Sequence, residues 1–137
     1  MTTMDSADTT FHGPSASVRT YLTADVVTVA PTASLRETAV TMAQANVGVL
    51  VVGTVKDVAA LVSERDIVRA VADGMDLDST TAVEVGSTEL FWIDADDTVG
   101  DAAEEMMEDY VRHVLVRDRR RLVGILSMRD VLSAFIT

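Results

Sequence analysis

Ser63-Glu64-Arg65-Asp66 and Ser127-Met128-Arg129-Asp130 each place a hydroxyl and a carboxylate three residues apart, and the two stretches lie 64 residues apart. At a helix start this spacing makes a capping box. The serine accepts from a backbone N–H, and the acid reaches back to the serine's own N–H. The same groups have a second chemistry. A carboxylate can accept both hydrogens of a cis-diol, and the N–H groups of a helix start suit a phosphate. Arg65 and Arg129 stand in the first turn, where the helix dipole mildly disfavours a cation. Their recurrence at equivalent places in an acidic chain suggests an anion nearby, and a planar guanidinium fits a phosphate.

The recurrence extends well beyond these motifs. A shift of 64 residues aligns the two halves without a gap: Ala39, Met42, Val47, Val52 and Ala70 fall on Ala103, Met106, Val111, Val116 and Ala134. Special residues match as well as apolar ones, so the chain is an internal repeat. The expected organisation is a flexible tail at 1–16, a first repeat at 17–74, a polar connector at 75–80 and a second repeat at 81–137.

Each repeat must build the elements that position its motif. Val26–Val29 and Leu90–Ile93 are short β-prone runs followed by turn chemistry. Ser34 and Glu37 match a capping box, and Leu35, Ala39, Met42 and Ala43 recur at helical spacing, as do Val99, Ala103, Met106 and Met107. Val47–Val52 and Val111–Val116 read as strands, and so do Val58–Val62 and Leu122–Leu126. Helices at Glu64–Ala72 and Met128–Phe135 close the units. The order is β-α-β-β-α, twice. One such unit buries too little surface to stand alone. The expectation is an α/β (α+β) fold whose two repeats pack sheet to sheet as a pseudo-twofold pair, leaving two related clefts.

Composition narrows the function. The 137 residues are 48% hydrophobic, enough for a core and too many for a disordered chain. The absence of cysteine excludes disulfides, thiolate metal sites and cysteine nucleophiles, and two histidines are too few for a His-based zinc site. No metal is expected. A net charge of -11 repels nucleic acid unless the bases gather in one patch. The one cluster, Arg117-Asp118-Arg119-Arg120-Arg121, falls in a predicted hairpin and reads first as an exposed turn making surface ion pairs. Its other readings are a contact to a polyphosphate, to an acidic partner or to RNA. Many acids, a single lysine and no cysteine resemble the proteins of salt-in halophiles. No apolar run approaches the roughly 18 residues of a membrane span, and the N-terminus lacks a signal-peptide pattern, which points to a cytoplasmic protein. No Gly-rich phosphate loop or nucleophile elbow is present, so no catalytic residue is expected. Asp96, Asp97, Asp101, Glu104, Glu105 and Glu108 read as solvation.

Two β-α-β-β-α repeats, each ending in a hydrophobic strand, Ser-x-x-Asp and a helix, resemble a tandem CBS-domain (cystathionine-β-synthase-type, or Bateman) module. The residues carrying the resemblance are Arg112-His113-Val114-Leu115-Val116 with Leu122 to Leu132, and Val47 to Val52 with Leu61 to Ile67. It covers roughly residues 17–136.

The resemblance implies adenosine-type ligands in the clefts: AMP, ADP, ATP or S-adenosylmethionine, none of them a required cofactor. Ser63 and Ser127 would lie near the phosphate, and Asp66 and Asp130 would bond the ribose hydroxyls. Arg65 and Arg129 would add charge. Arg112 and His113, where the first repeat has Gly48 and Val49, would contact phosphate, making the clefts unequal. Val27, Val29, Phe91 and Ile93 would wall the adenine, and Trp92 reads as core filling. Ala60, where the second repeat has Gly124, could crowd a ligand in the first cleft. The implied role is regulatory, signalling to an unknown effector protein or through a homodimer, a four-repeat disc. The alternatives are a ligand-free dimerisation scaffold and, third, nucleic-acid binding through Arg117–Arg121.

Overall fold

The computed structural model describes residues 13–136. A 3-10 turn (Gly13–Ser15) leads into α1 (Val18–Tyr21), β1 (Thr28–Val29), α2 (Leu35–Ala45), β2 (Val49–Gly53), β3 (Val58–Ser63) and α3 (Glu64–Ala72). Then come α4 (Ala82–Val85), β4 (Trp92–Asp94), α5 (Val99–Asp109), β5 (His113–Asp118), β6 (Arg121–Ser127) and α6 (Met128–Ile136). The architecture is α+β, with two three-stranded sheets ordered β1-β2-β3 and β4-β5-β6. In each sheet the first strand pairs parallel with the second, and the second and third form an antiparallel hairpin.

The described residues divide into two compact units, Val26–Leu90 and a unit joining residues 13–25 to 91–136. This cut differs from the repeat boundaries in the sequence. In the first unit Ala82 is fully buried in a cluster with Met42, Leu50, Val52, Ala60 and Val62. Its N–H donates to Ala33 O at 2.8 Å, and Leu35 N donates to Thr80 O at 2.9 Å. The stretch expected as a polar connector therefore docks on the first repeat, and Arg36 pairs with Asp78 at 2.6 Å. In the other unit the residues 64 positions earlier do the same for the second repeat. Val18, fully buried, donates to Asp97 O at 2.9 Å, and Val99 N donates to Ala16 O at 2.8 Å. Each repeat's core is thus completed by the segment that leads into the other repeat. Of the expected tail at 1–16, residues 1–12 lie outside the described residues. Gly13–Ser15 form the 3-10 turn, and Ala16 is buried.

Local sequence explains the helix ends. Glu37 N donates to Ser34 Oγ at 3.0 Å, and Ser34 N donates to Glu37 Oε1 at 2.8 Å, the capping box expected for α2. Thr98 caps α5 by accepting from Asp101 N. Both helices end in a left-handed residue, Asn46 at φ 55° and Tyr110 at φ 56°. Asparagine suits that conformation, whereas a tyrosine there is uncommon.

Candidate functional site

Three chain segments meet at one end of each sheet. In the first-repeat unit, Val27 O accepts from Val51 N at 2.9 Å, and Gly48 O accepts from Glu64 N at 2.9 Å. Val49 pairs with Ser63 across the hairpin. The entry to β1, the start of β2 and the β3–α3 junction therefore form one corner. The other unit builds the same corner 64 residues on. Phe91 O accepts from Leu115 N at 2.9 Å, Arg112 O accepts from Met128 N at 2.8 Å, and His113 pairs with Ser127.

Each corner carries the repeated motif in one geometry. Asp66 Oδ2 accepts from Ser63 N at 2.9 Å and from Ser63 Oγ at 3.1 Å, while Asp66 N donates to Ser63 Oγ at 3.3 Å. Asp130 Oδ2 accepts from Ser127 N at 2.9 Å, and Asp130 N donates to Ser127 Oγ at 3.1 Å. Capping occupies one oxygen of each carboxylate. The second oxygen, Oδ1, makes no hydrogen bond among the described residues. All four side chains are half-buried, whereas Arg65, Arg112 and Arg129 are exposed. Among the described residues these three arginines have no ion-pair partner, although Arg19, Arg36 and Arg117 are each paired with aspartate. A corner can thus offer the helix-start N–H of Arg65 or Arg129, which neither the cap nor the strand carbonyl takes, an unshared carboxylate oxygen and an uncommitted guanidinium.

The predicted apolar walls divide. Val27 and Phe91 lie at the corners, half-buried against the cores. Ile93 does not: two residues further along the chain than Phe91, it pairs with Val116 and is only 3% exposed in the core. Val29 pairs with Val52 toward the other end of its sheet. There, with Thr28, Pro31, Gly53, Thr54 and Asp57, it lines a cleft of about 460 Å³. At the corresponding end of the other sheet Arg117 pairs with Asp94 at 3.1 Å, and Arg19 pairs with Asp96 and Asp118 at 3.0 and 3.1 Å.

Ala60 does not face the corner either. It is fully buried, and a Cβ on Gly86 would come within 3.1 Å of its own Cβ. In the arginine turn, Arg117 is committed to Asp94, and Arg119 and Arg120 form the tip at φ 53° and 71°. Sequence reasoning passed over Glu64. Its Oε1 lies 2.9 Å from where a Cβ on Gly48 would be. The signal was available, since the shift of 64 sets Gly48 against Arg112 and Glu64 against Met128. Among the described residues no group of three His, Cys, Asp or Glu is placed to hold a metal ion, and no helix is long and apolar enough to cross a membrane.

Comparison with known proteins agrees with this architecture. The CBS-domain family model matches residues 18–73 and again 82–137. The CBS domain-containing protein YhcV of Bacillus subtilis is 34% identical over 116 residues, covering 84% of this chain and 82% of its own. The CBS domain protein PAE2072 from Pyrobaculum aerophilum, solved in complex with AMP, superposes with a TM-score of 0.74 at 36% identity, covering 83% of this chain and 88% of that one. The CBS-domain protein ATU1752 from Agrobacterium tumefaciens gives a TM-score of 0.80 at 32% identity, covering 92% and 98%. The chain belongs to the CBS-domain family and carries two CBS domains in tandem.

Proposed function

We propose that this chain is a non-catalytic regulatory module. It binds an adenosine-containing ligand (AMP, ADP, ATP or S-adenosylmethionine) at its two Ser-x-Arg-Asp corners and passes occupancy to a partner protein or through its own dimer. The observation that carries this reading is the twin geometry of Ser63 with Asp66 and Ser127 with Asp130, each aspartate keeping one oxygen outside its cap. The similarity to an AMP-complexed relative supports the choice of ligand class. In this reading the uncommitted oxygens of Asp66 and Asp130 accept from the ribose hydroxyls. Where the ligand carries a phosphate, the helix starts with Arg65, Arg129, Arg112 and His113 receive it. Val27 and Phe91 contact the base. Binding regulates only through a difference in affinity between two conformations or assemblies of the module.

A homodimer fits the exposed apolar side chains at equivalent places on two helices. Val68 on α3 and Leu132 on α6 are 66% and 56% exposed, and Ile136 is 80% exposed. These residues also favour the second reading, a ligand-free dimerisation scaffold. The two readings separate in a thermal-shift panel with AMP, ADP, ATP, S-adenosylmethionine and GTP. Ligand at a hundred times its Kd adds about 2.7 kcal/mol of stability. A shift with adenosine compounds and none with GTP supports the sensor, whereas no shift with any compound leaves the scaffold.

A further inference from the structure

The two corners share a backbone and differ in charge. Gly48 and Glu64 are joined by the same hydrogen bond, N–H of the helix residue to carbonyl of the strand-start residue, that joins Arg112 and Met128. In the first corner the side chain comes from the helix and is a carboxylate, with Glu64 Oε1 standing over the bare Gly48. In the second it comes from the strand start and is a guanidinium. The first corner therefore sets one cation, Arg65, against two carboxylates, Glu64 and Asp66. The second sets two cations, Arg112 and Arg129, against the one carboxylate of Asp130.

We propose that Glu64 is a specificity-determining residue: it makes the first corner select an adenosine ligand without a phosphate, neutral or cationic at its 5′ position, while the second corner takes the phosphorylated one. This rests on the nucleotide-sensing reading above. Glu64 is exposed and makes no ion pair among the described residues, so its carboxylate is not held in a contact with an arginine. A phosphate dianion entering this corner meets two negative charges and one positive. At about 4 Å one charge changes anion affinity by about tenfold, between the limits set by water and by a protein surface. The single device then gives one module two inputs, a nucleoside-type ligand and a nucleotide. Neither would displace the other.

Calorimetric titration of the full chain with adenosine and with AMP, at about 0.15 M salt, tests it. The Asp130→Asn variant isolates the first corner. It is expected to bind adenosine more tightly than AMP. Adding Glu64→Gln, which keeps shape and exposure, is expected to raise AMP affinity about tenfold and leave adenosine unchanged. An AMP-to-adenosine ratio unmoved by Glu64→Gln overturns the proposal and leaves the sensing function standing. So does loss of both ligands on Asp130→Asn alone. If the unaltered chain binds neither compound, the sensing function falls, and this proposal with it.

Discussion

Ala60 fills the space opposite Gly86, and Leu22 fills the equivalent space opposite Gly124. A Cβ on Gly86 would lie 3.1 Å from the Ala60 Cβ, and a Cβ on Gly124 would lie 2.7 Å from Leu22 Cδ1 and 2.6 Å from Thr23 O. The two repeats thus use the same contact with large and small partners exchanged. In both, the lead-in chain runs as an edge beside the hairpin: Ser87 exchanges backbone hydrogen bonds with Leu61, and Thr23 does so with Ile125. Gly124→Ala puts a methyl against a backbone carbonyl that cannot turn away, and is expected to cost about 1–3 kcal/mol. Urea unfolding measures it. A cost below about 0.5 kcal/mol would contradict the contact.

The exchange of lead-in segments makes a second prediction. Val18 belongs in sequence to the first repeat and in space to the core around Val99, Met106 and Val116. Val18→Ala is expected to cost about 2 kcal/mol, from lost burial and the cavity left behind. Trp92, the only tryptophan, lies in the same unit and reports its unfolding. An unchanged tryptophan-detected midpoint would show that the N-terminal segment is not part of this core.

Much of the fold was legible because it is written in local chemistry. Ser34 with Glu37, and Ser63 with Asp66, announced their helices as capping boxes, and both boxes are present. The strands were found but displaced. Val26–Val29 contributes only Thr28 and Val29 to the ladder, and Leu90–Ile93 contributes Trp92 and Ile93 to a strand that runs on to Asp94. A hydrophobic run marks where a strand is favoured, while pairing with β2 or β5 decides which residues join it. The periodicity gave the repeats but not the exchange, since a repeat does not say which copy's core its flanking segment enters. Ile93 and Ala60 lie away from the corners, Ile93 opposite Val116 and Ala60 opposite Val52, because only the strand pairing sets how far along its sheet a residue sits.

Charge on the surface gives a pH dependence of two signs. The carboxyl of Asp78 is lowered mainly by its hydrogen bond from Arg36, and that of Glu84 by hydrogen bonds from Thr81, the backbone one first. Each contributes stability that is present above the ordinary carboxylate range and lost as pH falls through its lowered folded value. Arg36→Ala is therefore expected to destabilise the protein at neutral pH and to have no effect once Asp78 is protonated. Glu105 has the opposite sign. Its carboxyl is raised first by desolvation, then by Asp97, Asp109, Glu108 and Asp101. Its stability contribution is present at low pH and is lost as pH rises through the raised folded value. Glu105→Gln is expected to raise the neutral-pH Tm and leave the acid Tm unchanged. Equal effects of either substitution at both pH values would refute this assignment.

Self-repulsion of a chain with net charge -11 also predicts that added salt stabilises it. The Tm is expected to climb between dilute buffer and molar potassium chloride. A Tm that falls with salt would remove the argument for a salt-rich habitat.

The central claim is that the aspartate oxygen left outside each cap receives a ligand. Asp130→Asn tests it without dismantling the helix start. The asparagine carbonyl can still accept from Ser127 N, as Asp130 Oδ2 does at 2.9 Å, but an NH2 group then stands where Oδ1 stood, a donor in place of an acceptor. Calorimetric titration of the unaltered chain and of this variant with AMP is the measurement. The account predicts AMP binding by the unaltered chain, weakened about tenfold or more in the variant, with the Tm preserved. Equal AMP affinity in the two proteins would contradict it.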